Sequence, residues 1–166
     1  MSIRILFASL LLATLASGRS GKEAPRPEET HYPNLFSAEL PLYPPIAQSA
    51  HIAGTVEIQV TVENGSVVDT QVRSAEIQIL GPDHPPKNDA ATKLAASPYL
   101  VNPSLANVKT WRFQPEARST FVVKYVYRIE GDQTPLPENP IVELTLPLVV
   151  KVTARPFKPT CNDCRL

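Results

Sequence analysis

The stretch TVEIQVTVENGSVVDTQV, Thr55 to Val72, decides how the chain is read. Val56, Ile58, Val60 and Val62 alternate with Thr55, Glu57, Gln59 and Thr61. That strict period of two marks a strand with one buried face. Asn64-Gly65 accepts the positive φ angles of a type I′ turn, whose twist matches the strands it joins. The return strand runs from Val67 to Val72, with Val68, Thr70 and Val72 expected on the buried face. No catalytic group lies on or near this hairpin, so the first reading of its sheet is mechanical: the capture of another chain.

Upstream, Pro44 and Pro45 suit the first turn of a helix, where a missing N–H costs nothing. Ile46, Ala47, Ala50 and Ile52 then predict a helix of about two turns, with Gly54 as its stop. Downstream, Asp89 is the expected N-cap of a helical piece that ends before Pro98. Asn102 and Pro103 are expected as N-cap and first residue of a second helix. Leu105, Val108 and Trp111 recur near the helical period and should face the sheet. Phe121, Val123, Tyr125, Tyr127 and Ile129 form the next strand, alternating with Val122, Lys124, Val126 and Arg128. A last alternating run, residues 141–153, is expected as one extra strand. Pro147 cannot donate to a ladder, so that strand lies on an edge or is broken there. Together these elements predict an α+β fold: a small antiparallel sheet of about three to four strands with one or two helices packed on one face.

The chain has 166 residues, enough for one modest domain with tails. Residues 1–18 read as a signal peptide, with Arg4 as the positive n-region, an apolar run from Ile5 to Ala16 and the small residues Ala16-Ser17-Gly18 at the cleavage site. The run is shorter than the roughly 20 residues a spanning helix needs. A periplasmic or secreted location follows, the alternative being an inner-membrane anchor formed by an uncleaved segment. Sixteen basic residues balance sixteen acidic ones, which leaves no electrostatic footprint for nucleic acid or anionic lipid.

Cys161 and Cys164 are the only cysteines and sit at the C-terminus. In an oxidising compartment they are disulfide candidates, with each other or with a partner. A redox pair or half a metal site are the sharper alternatives; neither the βαβ context nor further ligands lie nearby in sequence. His31, His51 and His84 are scattered and form no triad or metal motif. Catalytic residues, metal ligands, cofactors and a small-molecule substrate are therefore not expected, and the chain reads as a non-enzyme. Trp111, Phe113, Tyr125 and Tyr127 read as core anchors by their spacing.

The order of these features resembles a known family. LPLYPPIAQSAHIAGTVEIQVTVENGSVVDTQVRSA, Leu40 to Ala75, is similar to the opening of the C-terminal domain of TonB proteins. VKTWRFQP, Val108 to Pro115, is similar to that family's helix end, and FVVKYVYRIEG, Phe121 to Gly131, to its last strand. The resemblance spans residues 39–131. It implies a periplasmic module that grips an extended peptide, such as a segment of an outer-membrane transporter, by β-augmentation. The strand it assigns to that task carries Val122, Lys124, Val126 and Arg128.

The implied organisation is a signal peptide at 1–18, a Pro-containing arm at 19–37, a TonB-like domain at 38–131, a loop and extra strand at 132–154, and a tail with C-x-x-C at 155–166. Two other readings stay open. One is a self-associating structural domain, a homodimer included, whose edge is capped by residues 141–153. The other is a thiol-disulfide or metal-binding protein acting through Cys161 and Cys164.

Overall fold

The hairpin forms as its sequence demands. In the computed structural model, which describes residues 32–81, 89–136, 138–145 and 149–158, β2 (Ile52–Glu63) and β3 (Ser66–Ile79) are antiparallel and joined at Asn64 and Gly65. Their φ values of 49° and 74° are those of a type I′ turn. A Cβ on Gly65 would stand 2.7 Å from the Gln114 carbonyl oxygen, so only glycine lets this turn meet the chain that crosses it. The Gly65 carbonyl accepts the Phe113 N–H there at 2.8 Å.

The described residues fall within the unit His31–Leu166. Its remaining elements are β1 (Leu35–Ser37), α1 (Pro45–Ser49), α2 (Ala90–Ala96), α3 (Pro98–Lys109), β4 (Arg112–Phe113), β5 (Ser119–Ile129), β6 (Ile141–Thr145) and β7 (Val149–Ala154). The strands make one sheet in the order β1-β4-β3-β2-β5-β7-β6. All pairings are antiparallel except β5 with β7.

This corrects the expected small antiparallel sheet of three to four strands. The sheet has seven strands, is mixed, and curls into a half-barrel. Two causes account for the difference. The strands β1 and β4 are 3 and 2 residues long, too short to carry a period. The run 141–153 is a hairpin, and alternation reads the same in a hairpin as in a single strand. Within it, β7 places Val150, Val152 and Ala154 in the core, at 1%, 0% and 5% exposure. β6, preceded by Pro140, takes the rim.

The inner face holds the core. Val56, Ile58, Val60 and Val62 from β2 meet Phe121, Val123, Tyr125 and Tyr127 from β5, with Leu100 and Val108 of α3 and Trp111 and Phe113 above them. The expected helix boundaries shift. The first helix is a single turn, Ile46 is 58% exposed, and Ile52 already belongs to β2. His51, not Gly54, takes the left-handed conformation that ends it (φ 51°). Gly54 lies inside β2, where a Cβ would meet the Glu76 carbonyl oxygen at 2.2 Å. Asp89 does cap α2, accepting from the Thr92 N–H at 2.9 Å. Asn102 is no cap, because α3 starts at Pro98 and runs through Pro103.

Candidate functional site: the sheet rim and its groove

The nominated residues Val122, Lys124, Val126 and Arg128 all lie on β5, facing away from the core. Lys124 Nζ stands 3.5 Å from Glu57 Oε1, and Arg128 Nη1 stands 3.4 Å from Glu130 Oε1. Both pairs are solvent-exposed and contribute little. The main chain is the more telling feature. Lys124 pairs with Glu57 and Val149, and Val126 with Thr55 and Lys151, so both have strands on either side. Arg128 pairs with Thr153 of β7, and Val122 lies beyond the span that β7 covers. Over Lys124–Ile129, then, the chain's own β7 occupies the side to which the resemblance assigns a partner.

Besides the Ser119–Val123 end of β5, which β7 does not reach, three strands retain an outer side among the described residues. β1 is only three residues long. β3 meets β4 at Ser66 alone. Its register against β2 shifts twice: Thr61 and Val62 face Asp69 and Val67, while Glu57 and Ile58 face Ser74 and Val72. Val68 and Arg73 are the extra residues of two bulges, which twist an edge and interrupt its ladder. The turn sets Val67 across from the buried Val62, which puts Val68 on the outer face at 55% exposure, against the expectation of a buried side chain. Asp69, Arg73 and Glu76 add charge along the same strand.

β6 is different. It pairs with β7 in unbroken register, Ile141 with Thr153 through Thr145 with Val149, and among the described residues has no strand on its other side. Val142 and Leu144 turn inward and Glu143 outward. A groove of about 250 Å³ opens beside it, lined by Val142 and Leu144 on one flank, Leu35, Phe36 and Leu40 on the other, and Trp111. Phe36 is 81% exposed, Leu40 75% and Leu144 44%. The two ends of the curled sheet thus face each other across an apolar slot. The sequence reading missed this site. The signal lay in the two prolines, Pro140 and Pro147, that bracket the five residues of β6, since proline collects at sheet edges.

Asn107 fixes the wall behind the slot. Its Oδ1 accepts from Tyr125 Oη at 2.8 Å and from Trp111 Nε1 at 3.2 Å, and its Nδ2 donates to the Glu39 carbonyl at 2.7 Å. A separate set of bonds forms at Ser104, whose Oγ lies 2.9 Å from Tyr127 Oη and donates to the Leu100 carbonyl. Tyr43 Oη donates to the Ile52 carbonyl at 2.6 Å. Burial pushes the hydroxyls of Tyr43 and Tyr125 far above the ordinary phenol range; burial raises Tyr127 to about 12, against a lowering by its bond to Ser104. These groups stay protonated and act as hydrogen-bonding struts. Every buried side-chain polar atom among the described residues is satisfied.

The disulfide candidates Cys161 and Cys164 lie outside the described residues, as do His31, His84 and the segment read as a signal peptide. Among the described residues, no group of three or more His, Cys, Asp or Glu is placed to hold a metal. No helix there is long and apolar enough to cross a membrane. In comparison with known proteins, no family model and no curated protein matches the chain.

Proposed function

We propose that the protein is an exported, non-enzymatic interaction module, TonB-like in role, which holds an extended peptide by β-augmentation. One observation carries this reading: among the described residues, β6 leaves a full side of its main chain without a strand, at the mouth of an apolar groove. An added strand gains main-chain hydrogen bonds from the edge and sinks alternate side chains into the slot. The capture edge is β6 rather than β5, because Val150 and Val152 of β7 are anchored in the core. Freeing β7 would expose both valines, at about 1.5–3 kcal/mol each. A periplasmic segment of an outer-membrane transporter is the partner that the family resemblance suggests.

The pairing of β7 with β5 favours a second reading, a structural domain sealed by its own last hairpin. One experiment separates the two. Titrate the full chain with an extended peptide of alternating Val and Thr, and follow amide exchange. Protection of Ile141–Thr145 supports capture. Absence of binding, with the protein monomeric in sedimentation, removes the capture reading and leaves the sealed domain.

A further inference from the structure

We infer that the strand taken up at β6 has a lysine or arginine at its centre, set opposite Glu143, between two apolar residues that enter the groove beside Val142 and Leu144. The inference rests on the capture reading and adds the chemistry of the occupant.

Glu143 is the middle residue of β6 and its only charge. Its side chain is 59% exposed on the outer face. Lys151 Nζ binds one of its oxygens, Oε2, at 2.9 Å. A carboxylate offers about four acceptor sites, so one such contact leaves room for a second donor. A strand laid along β6 must place a side chain directly across from Glu143, where an opposite charge is favourable and a like charge is not. On the inner face, the neighbours of that residue stand across from Val142 and Leu144. They enter a slot walled by Leu35, Phe36, Leu40 and Trp111. An apolar cavity of about 150 Å³ accommodates a benzene molecule. The slot, at about 250 Å³, suits two aliphatic side chains or one aromatic ring.

The same residue argues against a second copy of this chain as the occupant. In a two-fold antiparallel pairing of β6 with itself, residues on the same face must meet, and the register that uses all five residues is centred on Glu143. It would set Glu143 against Glu143, a destabilising pair. A partner of apolar–basic–apolar pattern satisfies both faces of the edge.

The test uses two decapeptides of alternating Val and Thr, one with Val-Lys-Val at its centre and one with Val-Glu-Val, binding the full chain in an anisotropy titration. Expected is a three- to tenfold preference, on the order of a cross-strand charge pair, for the lysine peptide. Amide protection should fall on 141–145, and the preference should shrink as salt rises. Glu143→Lys combined with Lys151→Glu keeps the internal pair and should reverse the preference. Equal affinities at low salt would overturn the inference while leaving capture at β6 standing. Binding of neither peptide would overturn both. Protection along Val67–Gln78 instead, or a stable dimer that excludes the peptide, would also overturn it. If the double variant fails to fold, the wild-type preference and its salt dependence decide.

Discussion

Asn107 is one side chain with three obligations, and removing it should cost far more than its size suggests. Asn107→Ala strands two buried donors, the hydroxyl of Tyr125 and the indole N–H of Trp111, which are 0% and 2% exposed as residues. A buried polar group left without a partner costs about 1–3 kcal/mol. The Glu39 carbonyl, which accepts from Asn107, belongs to an exposed residue and can turn to water. The indole bond, at 3.2 Å, is the weaker of the two, so the expected loss is about 3 kcal/mol. Tyr125→Phe removes one donor and leaves Asn107 still bonded to Trp111 and Glu39. It should cost only about 1 kcal/mol. Urea unfolding followed by the fluorescence of the single tryptophan, Trp111, reads both. With a slope of about 2 kcal/mol per molar, the midpoint should fall by about 1.5 M for Asn107→Ala and about 0.5 M for Tyr125→Phe. If Asn107→Ala proves no costlier than Tyr125→Phe, the buried hydroxyl and indole have other partners and the hub does not exist.

The two strands of the last hairpin should respond in opposite ways to truncation. Val152→Ala, at a fully buried site, should lose about 2 kcal/mol in chemical denaturation. Ile141→Ala, 68% exposed on the rim, should stay within about 0.5 kcal/mol. Equal losses would contradict the assignment of β7 to the core and β6 to the edge. Alkaline pH should unfold the protein through Tyr43, Tyr125 and Tyr127. Each hydroxyl titrates higher in the folded chain than its unfolded value of about 10. Their contribution is therefore complete below pH 10 and lost as pH climbs through the folded values. In the window from about 10 to 12, three groups together predict a slope approaching 4 kcal/mol per pH unit. Urea midpoints at pH 8, 10 and 11 test this, and Tyr127→Phe should reduce the slope by about a third; a flat profile to pH 11 would refute it.

Features closed within a few residues were legible in the chain itself. The turn at Asn64-Gly65 follows from residues that tolerate positive φ, and the Asp89 cap from a carboxylate three residues before the N–H it accepts. The alternation of β5 placed Phe121, Val123, Tyr125 and Tyr127 on one face, and the structure buries all four. The leader segment, the cysteines and their compartment rest on sequence alone.

The seven-stranded order was settled only by contacts between distant residues. Leu35 pairs with Phe113 although neither flank carries a readable period, because β4 is held at the hairpin turn by Gly65 and offers β1 an edge. His51 displaced Gly54 as the end of the first helix because its carbonyl is bound by Leu80 and the approach of Glu76 reserved Gly54 for β2. The run 141–153 folds back on itself because Val150 and Val152 find a buried place beside Tyr125 and Tyr127 of β5, while Pro140 suits a rim. Side-chain periodicity records which face of a strand is buried. It carries no record of which strand lies alongside, since that is decided by main-chain hydrogen bonds that every sequence can make.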